Sequence, residues 1–253
     1  VRLVRALAPL LVSAVVALAA WELFLRAFDV NPLVGKNPAA VWDYLSASAE
    51  NRAAVTEPLL VTLADASLGF AGGLLAALLA AVTFVLFRSV EQAFLPVAML
   101  LRSVPLVAMT PLVTLVFGRG ATGVAVIAGI VVFFPALVTI VFGLRSVNPL
   151  ARDLVAAYGG GRLAQLRVVS LPGALPSLFA AMRISVPGAL IGALVAEWLA
   201  TGKGIGGEIL RDIGAFGYDH LWASIVVLTA VSVVLYTALS VVEQAVLARF
   251  STD

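Results

Sequence analysis

Six apolar runs, each near the roughly 20 residues that carry a helix across a bilayer, fix what this chain can become. They cover residues 7–28, 58–87, 93–117, 121–145, 172–199 and 221–247. A soluble core cannot absorb them. Of the 253 residues 62% are apolar and 12% charged, against about 45–50% and about 25% in soluble domains. Lipid must solvate the excess, and a backbone in lipid satisfies its polar groups most simply as a helix. The expected fold is all-α, a single polytopic membrane domain over residues 1–253 with about six transmembrane helices. The second run is long enough that it must tilt or begin in the interface.

The first run follows a charged start, Val1-Arg2-Leu3-Val4-Arg5. It is too long for a cleaved leader and lacks a small-residue exit, so it reads as a retained span. Between the first two runs lies an extracytoplasmic segment, residues 28–57. Its Asn37-Pro38 pair reads as a helix N-cap with proline at the first helical position. Val41, Trp42 and Leu45 then share a face, giving a short interfacial helix with an aromatic anchor.

Placing the N-terminus inside puts eight basic residues on the cytoplasmic side: Arg2, Arg5, Arg88, Arg145, Arg152, Arg162, Arg167 and Arg249. Six fall outside: Arg26, Lys36, Arg52, Arg119, Lys203 and Arg211. The bias selects this orientation, and an even number of spans returns the C-terminus to the cytoplasm.

Several chemistries are excluded. Without cysteine there is no disulfide, thiolate metal site or cysteine nucleophile. A lone histidine, His220, cannot supply a site that needs two imidazoles. There is no phosphate-binding Gly-x-x-x-x-Gly-Lys-Ser/Thr loop, so ATP hydrolysis by that route must come from another chain. A membrane enzyme would need clustered acids or a nucleophile–base pair. An ion-coupled carrier would need paired intramembrane acids, and Asp65 and Glu197 are both peripheral in their runs. These two alternatives remain the rivals.

Residues 148–171 form a polar, basic insert on the cytoplasmic side. Asn148-Pro149 repeats the N-cap signature. A helix follows to Tyr158, with Leu150, Leu154, Ala157 and Tyr158 on one face. Gly159-Gly160-Gly161 stops it. A second helical stretch, Arg162 to Val169, leads to Leu171-Pro172 at the start of the fifth run.

Asp153-Leu154-Val155, then Gly159, then Leu171-Pro172, has the spacing of the cytoplasmic Glu-Ala-Ala…Gly…Leu-Pro signature of binding-protein-dependent ABC importer permeases. The chain resembles that family, with aspartate in place of glutamate and neither alanine present. Further residues resemble its nitrate, sulfonate, taurine and bicarbonate subgroup: Leu101-Arg102-Ser103-Val104-Pro105, Pro111-Leu112, Ala196-Glu197-Trp198, the glycines from Gly202 to Gly206, and Trp21-Glu22. The resemblance implies a permease subunit of the bacterial inner membrane whose insert is a coupling helix. Asp153, Leu154, Val155, Gly159, Arg162, Leu171 and Pro172 would meet a cytoplasmic ATPase. It also implies a homodimer, two ATP-binding cassette subunits that hold the ATP and magnesium, and an extracytoplasmic solute-binding protein. This chain itself would carry no cofactor and no metal, and bind no nucleic acid.

Arg102 and Arg183 are charges inside apolar runs, where a charge usually faces a pathway or a partner. Pro105, Pro111, Pro135 and Pro187 each free a backbone carbonyl and bend a span. Arg102, Pro105, Pro111, Arg183 and Glu197 are the pathway candidates, along a two-fold axis near Ala108 and Ala189. Inward-facing arginines would favour anions. The competing reading is that they hold helix contacts. Gly72-Gly73 reads as close helix packing, and the 202–207 glycine run as a turn or flexible gate.

Overall fold

A computed structural model describes the backbone of residues 2–249, and the side chains of residues 12–249 apart from 99, 101 and 102. The first helix is α1 (Arg2–Ala27), followed by α2 (Pro38–Ala47) and α3 (Ala49–Leu86). Next come α4 (Arg88–Ser103), α5 (Leu106–Phe117) and α6 (Ala121–Arg145). The insert holds α7 (Pro149–Ala157), α8 (Arg162–Gln165), a π-helical turn Leu166–Ser170 and α9 (Leu171–Gly173). The chain ends with α10 (Leu175–Ala196), a second π turn Glu197–Thr201, α11 (Gly204–Ala215) and α12 (Tyr218–Leu247).

Among the described residues, four helices are long and apolar enough to cross a membrane: Ala49–Leu86, Ala121–Arg145, Leu175–Thr201 and Tyr218–Leu247. Ser48 caps α3, accepting from Asn51 N at 3.0 Å, so the helix starts well before the apolar run. At 1.5 Å per residue its 38 residues span about 57 Å, nearly twice the hydrocarbon thickness, so its N-terminal turns stand outside the lipid.

The expected third span is not one helix. It breaks at Val104-Pro105, where Pro105 takes an extended conformation (φ −60°, ψ 128°) and precedes α5. Proline disfavours helix in the residue before it and offers no N–H to the preceding turn. At about 18 Å, α5 is too short to cross alone.

The core is α3 against α6 and α10, and small residues set its closeness. A Cβ on Gly73 would collide with the backbone of Gly129 on α6, and one on Gly69 with Ala128 and the Ala125 carbonyl. A Cβ on Gly192 of α10 would strike Ala128 from the other side. Gly72, read with Gly73 as a packing pair, instead faces open space. Ile127, Ala128 and Val132 of α6 are fully buried where the three helices meet.

Asn37 caps α2 as its sequence indicates, accepting from Ala40 N at 2.9 Å. Val41 packs with Val55 and Ala223, and Leu45 lies against them. Trp42 points outward, 72% exposed, so it does not share their buried face. Trp21 of α1 stacks on Trp222 of α12 at 5.2 Å, and Trp222 donates to the Val34 carbonyl at 2.8 Å.

Candidate functional site

The insert keeps its predicted start. Asn148 caps α7, accepting from Leu150 N at 2.9 Å. Leu154 and Val155 lie on α7, and Asp153 is exposed in its second turn.

The helix ends in a left-handed residue, Gly159 at φ +81°. Its N–H donates to the Ala156 carbonyl at 2.9 Å, and that of Gly160 to the Val155 carbonyl at 2.8 Å, a closure that satisfies the last carbonyls of the helix. A Cβ on Gly159 would meet nothing, whereas one on Gly160 would run into Val155. The first glycine is required by backbone conformation and the second by space.

Leu150, Leu154 and Tyr158 form an apolar face that nothing among the described residues covers; Tyr158 is 87% exposed. Arg162 opens α8 and reaches back to donate to the Leu86 carbonyl at 3.3 Å, joining the insert to the end of α3. Beyond it the expected helix to Val169 widens into the π turn, which buries Leu166 and Ser170. Leu171 and Pro172 then form α9, and the long helix starts only at Leu175.

The pathway candidates do not converge on one site within the chain. Pro105 and Pro111 are exposed on the broken third element. Arg102 lies in the last turn of α4, and its side chain is outside the described residues. Arg183 and Glu197 lie 14 residues apart on α10 and its continuation, about 21 Å along the axis. Ala108 faces outward, but Ala189 is buried in the core at 2% exposure.

Arg183 makes an ion pair with Glu243 of α12, Nη1 to Oε2 at 2.8 Å, without good hydrogen-bond alignment. Its Nη1 also lies 3.4 Å from Ser240 Oγ, and the guanidinium is 6.0 Å from the Tyr236 ring. The charge is balanced inside the chain. Glu243 was not singled out from the sequence, because it stands in the last turns of an apolar run with no spacing to link it to Arg183.

Glu197 is fully buried at the start of the second π turn. Its Oε2 accepts from Gly206 N at 3.0 Å and from Thr62 Oγ1 at 2.9 Å. Thr62 in turn accepts from Ile205 N at 2.9 Å. Two of the free N–H groups at the α11 N-terminus are thus satisfied by a carboxylate and a hydroxyl from other helices. The glycines around it permit the approach. A Cβ on Gly204 would strike the Glu197 carboxyl, and one on Gly206 the Leu194 carbonyl. The run read as a turn or flexible gate is therefore the tightly packed start of a helix, and only Gly202 and Gly204 take left-handed conformations there.

Asp212 of α11 meets His220 Nδ1 at 2.8 Å, while His220 Nε2 lies 3.2 Å from the Ala54 carbonyl. Burial raises the Asp212 pKa, opposed by the His220 contact. Glu208 beside it is held below its ordinary value, chiefly by hydrogen bonds from Arg211. Glu208, Asp212 and His220 bring ligand-type atoms within 4.8 Å of one another, but each already has a partner in the chain.

Comparison with known proteins gives this geometry a context. The chain is 29% identical over 233 residues to a probable ABC transporter permease protein of Haemophilus influenzae, covering 92% of this chain and 94% of that protein. It is 29% identical to the formylaminopyrimidine transport permease protein ThiX of Halalkalibacterium halodurans, over 75% of this chain and 76% of that one. It is 27% identical to the taurine transport system permease protein TauC of Escherichia coli, over 81% and 70%. Residues 72–252, from the middle of α3 through the insert to the C-terminus, match the binding-protein-dependent transport system inner membrane component family. The chain belongs to that family and is a permease subunit of an ABC importer.

Proposed function

We propose that two copies of this chain form the membrane pathway of an inner-membrane importer, with both termini in the cytoplasm. An extracytoplasmic binding protein delivers the solute and two cytoplasmic ATPase subunits, which hold ATP and magnesium, supply the energy. A two-fold pair of permeases matches two identical motor subunits. The observation that carries this reading is the uncovered apolar face of α7, Leu150, Leu154 and Tyr158, beside the left-handed turn at Gly159. A short helix outside the apolar spans with such a face is built to enter a groove on another protein. Arg162 ties that helix to the end of α3, and the π turn packs on α6 and leads through α9 into α10, so a push on α7 reaches the core helices.

Cargo is proposed only by class, as a small organic nutrient or small anion. The permeases similar to this chain include ones named for riboflavin and for taurine, so overall similarity does not select one cargo. The broken α4–α5 element supplies an exposed surface for the pathway through Pro105, Ala108 and Pro111. The experiment is co-purification of the tagged permease with its ATPase, followed by uptake into vesicles. Uptake that requires both ATP and the binding protein supports the reading. Uptake driven by an ion gradient without ATP refutes it.

A further inference from the structure

Two adjoining cavities lie where the helix ends meet the insert. One, of about 700 Å³, is walled by the ends of α3 and α6, the start of α4, and α7 and α8. Four arginines line it, Arg88, Arg145, Arg152 and Arg162, with Glu91 as the one acid. Glu91 is already paired with Arg145, which leaves three positive charges in excess. Arg162 is partly engaged by the Leu86 carbonyl, and no ion pair is seen for Arg88 or Arg152 among the described residues.

The second cavity, about 410 Å³, shares Phe84, Glu91, Leu95 and Arg145 with the first. From there it continues between α4 and α6 along apolar side chains, among them Leu137, Val138 and Phe142. Val138 and Phe142 are 62% and 71% exposed, so the groove opens on the side of the bundle. A basic head-sized space thus runs into an apolar slot directed along the membrane-spanning helix α6.

We propose that the two cavities together seat one anionic glycerophospholipid of the inner leaflet, its phosphate on Arg88 and Arg152 and one acyl chain in the groove along α6. Basic pockets between helices at the cytoplasmic side suit such headgroups. A soluble phosphate or an acidic side chain of a protein partner would satisfy the arginines and leave the apolar slot empty. An anionic amphiphile fills both. The lipid would bridge α4, α6 and the α7–α8 insert, placing it where membrane composition can bias the coupling surface. The inference rests on these helix ends lying at the cytoplasmic surface.

The test is native mass spectrometry of the full chain in detergent, offered equal phosphatidylglycerol and phosphatidylethanolamine. Phosphatidylglycerol should be retained preferentially. Arg88→Gln should lower its retention about fivefold, the equivalent of about 1 kcal/mol for one arginine. Val138→Trp, which blocks the groove and leaves the arginines intact, should lower it as well. Equal retention of the two lipids overturns the proposal. So does loss with Arg88→Gln but not with Val138→Trp, together with displacement by inorganic phosphate, since that describes a phosphate site alone. Thiol labelling of Arg88→Cys in sealed right-side-out vesicles separates the topology: labelling from outside refutes the orientation whatever the lipid result.

Discussion

Removing the Glu197 carboxyl should loosen α11 without touching any exposed surface. In Glu197→Ala the Gly206 N–H loses its acceptor in a buried place. Thr62 loses less, because its hydroxyl can turn to the Pro58 carbonyl 3.2 Å away. An unsatisfied buried donor costs about 1–3 kcal/mol, and the lost side-chain volume adds about 1 kcal/mol at a site that can partly collapse. The expected loss is about 3 kcal/mol, a fall of roughly 6–12 °C in Tm for a chain of this size. Glu197→Gln keeps an oxygen for Gly206 and Thr62. It places an amide where Oε1 now has no partner, so its cost should be nearer about 1 kcal/mol. Thermal unfolding in detergent, read beside vesicle uptake, separates structure from cargo contact. If Glu197 served the solute instead, Glu197→Gln would abolish uptake at unchanged Tm. That result, or an Ala variant as stable as wild type, would refute the capping role.

Three further outcomes follow from the same geometry. Gly160→Ala should destabilise the end of α7 although its φ is ordinary, because the added Cβ meets Val155; raised hydrogen exchange in residues 155–162 would show it, and unchanged exchange would count against it. Arg183→Gln should cost about 1–3 kcal/mol by stranding Glu243, and adding Glu243→Gln should recover part of the loss, since the pair rather than either charge is what holds α10 to α12; a strictly additive double-variant cycle by thermal unfolding would remove that claim. On α11 the two acids Glu208 and Asp212 have opposite signs. Glu208, with its pKa lowered by Arg211, adds stability above about pH 4.3 that is lost as pH falls through its lower folded value. Asp212, with its pKa raised by burial, adds stability below about pH 3.9 that is lost as pH rises through its higher folded value. Glu208→Gln should therefore flatten acid destabilisation and Asp212→Asn should steepen it, as followed by Tm against pH; shifts in the same direction would contradict the assignment.

The features legible in the sequence were those written in local chemistry. Asn37-Pro38 and Asn148-Pro149 are caps in the structure because an amide acceptor before a proline has few other uses at a helix start. The six apolar runs are helices because their length and composition leave no alternative in lipid, although the third divides at Pro105. What stayed hidden depended on partners far along the chain. The glycines from Gly202 to Gly207 resemble a loop until Thr62 and Glu197, 135 residues apart, are seen to cap the helix they begin. For Arg183 the sequence leaves pathway and helix contact both open, because its partner Glu243 is 60 residues away in a different apolar run. The family signature was readable without its alanines because its spacing is imposed by structure: one helical turn to spare, a left-handed glycine, and a return to the core. The π turns had no sequence cue.

The coupling role of the insert is tested most directly by binding-protein-stimulated ATP hydrolysis in the assembled complex, wild type against Gly159→Val. A β-branched residue at φ +81° costs about 1–2 kcal/mol in that conformation, so the turn should rearrange while the exposed site leaves the membrane core intact. Wild type should show stimulation, and the variant should assemble at normal yield with only its basal rate. Wild-type stimulation in the assembled Gly159→Val complex would contradict it.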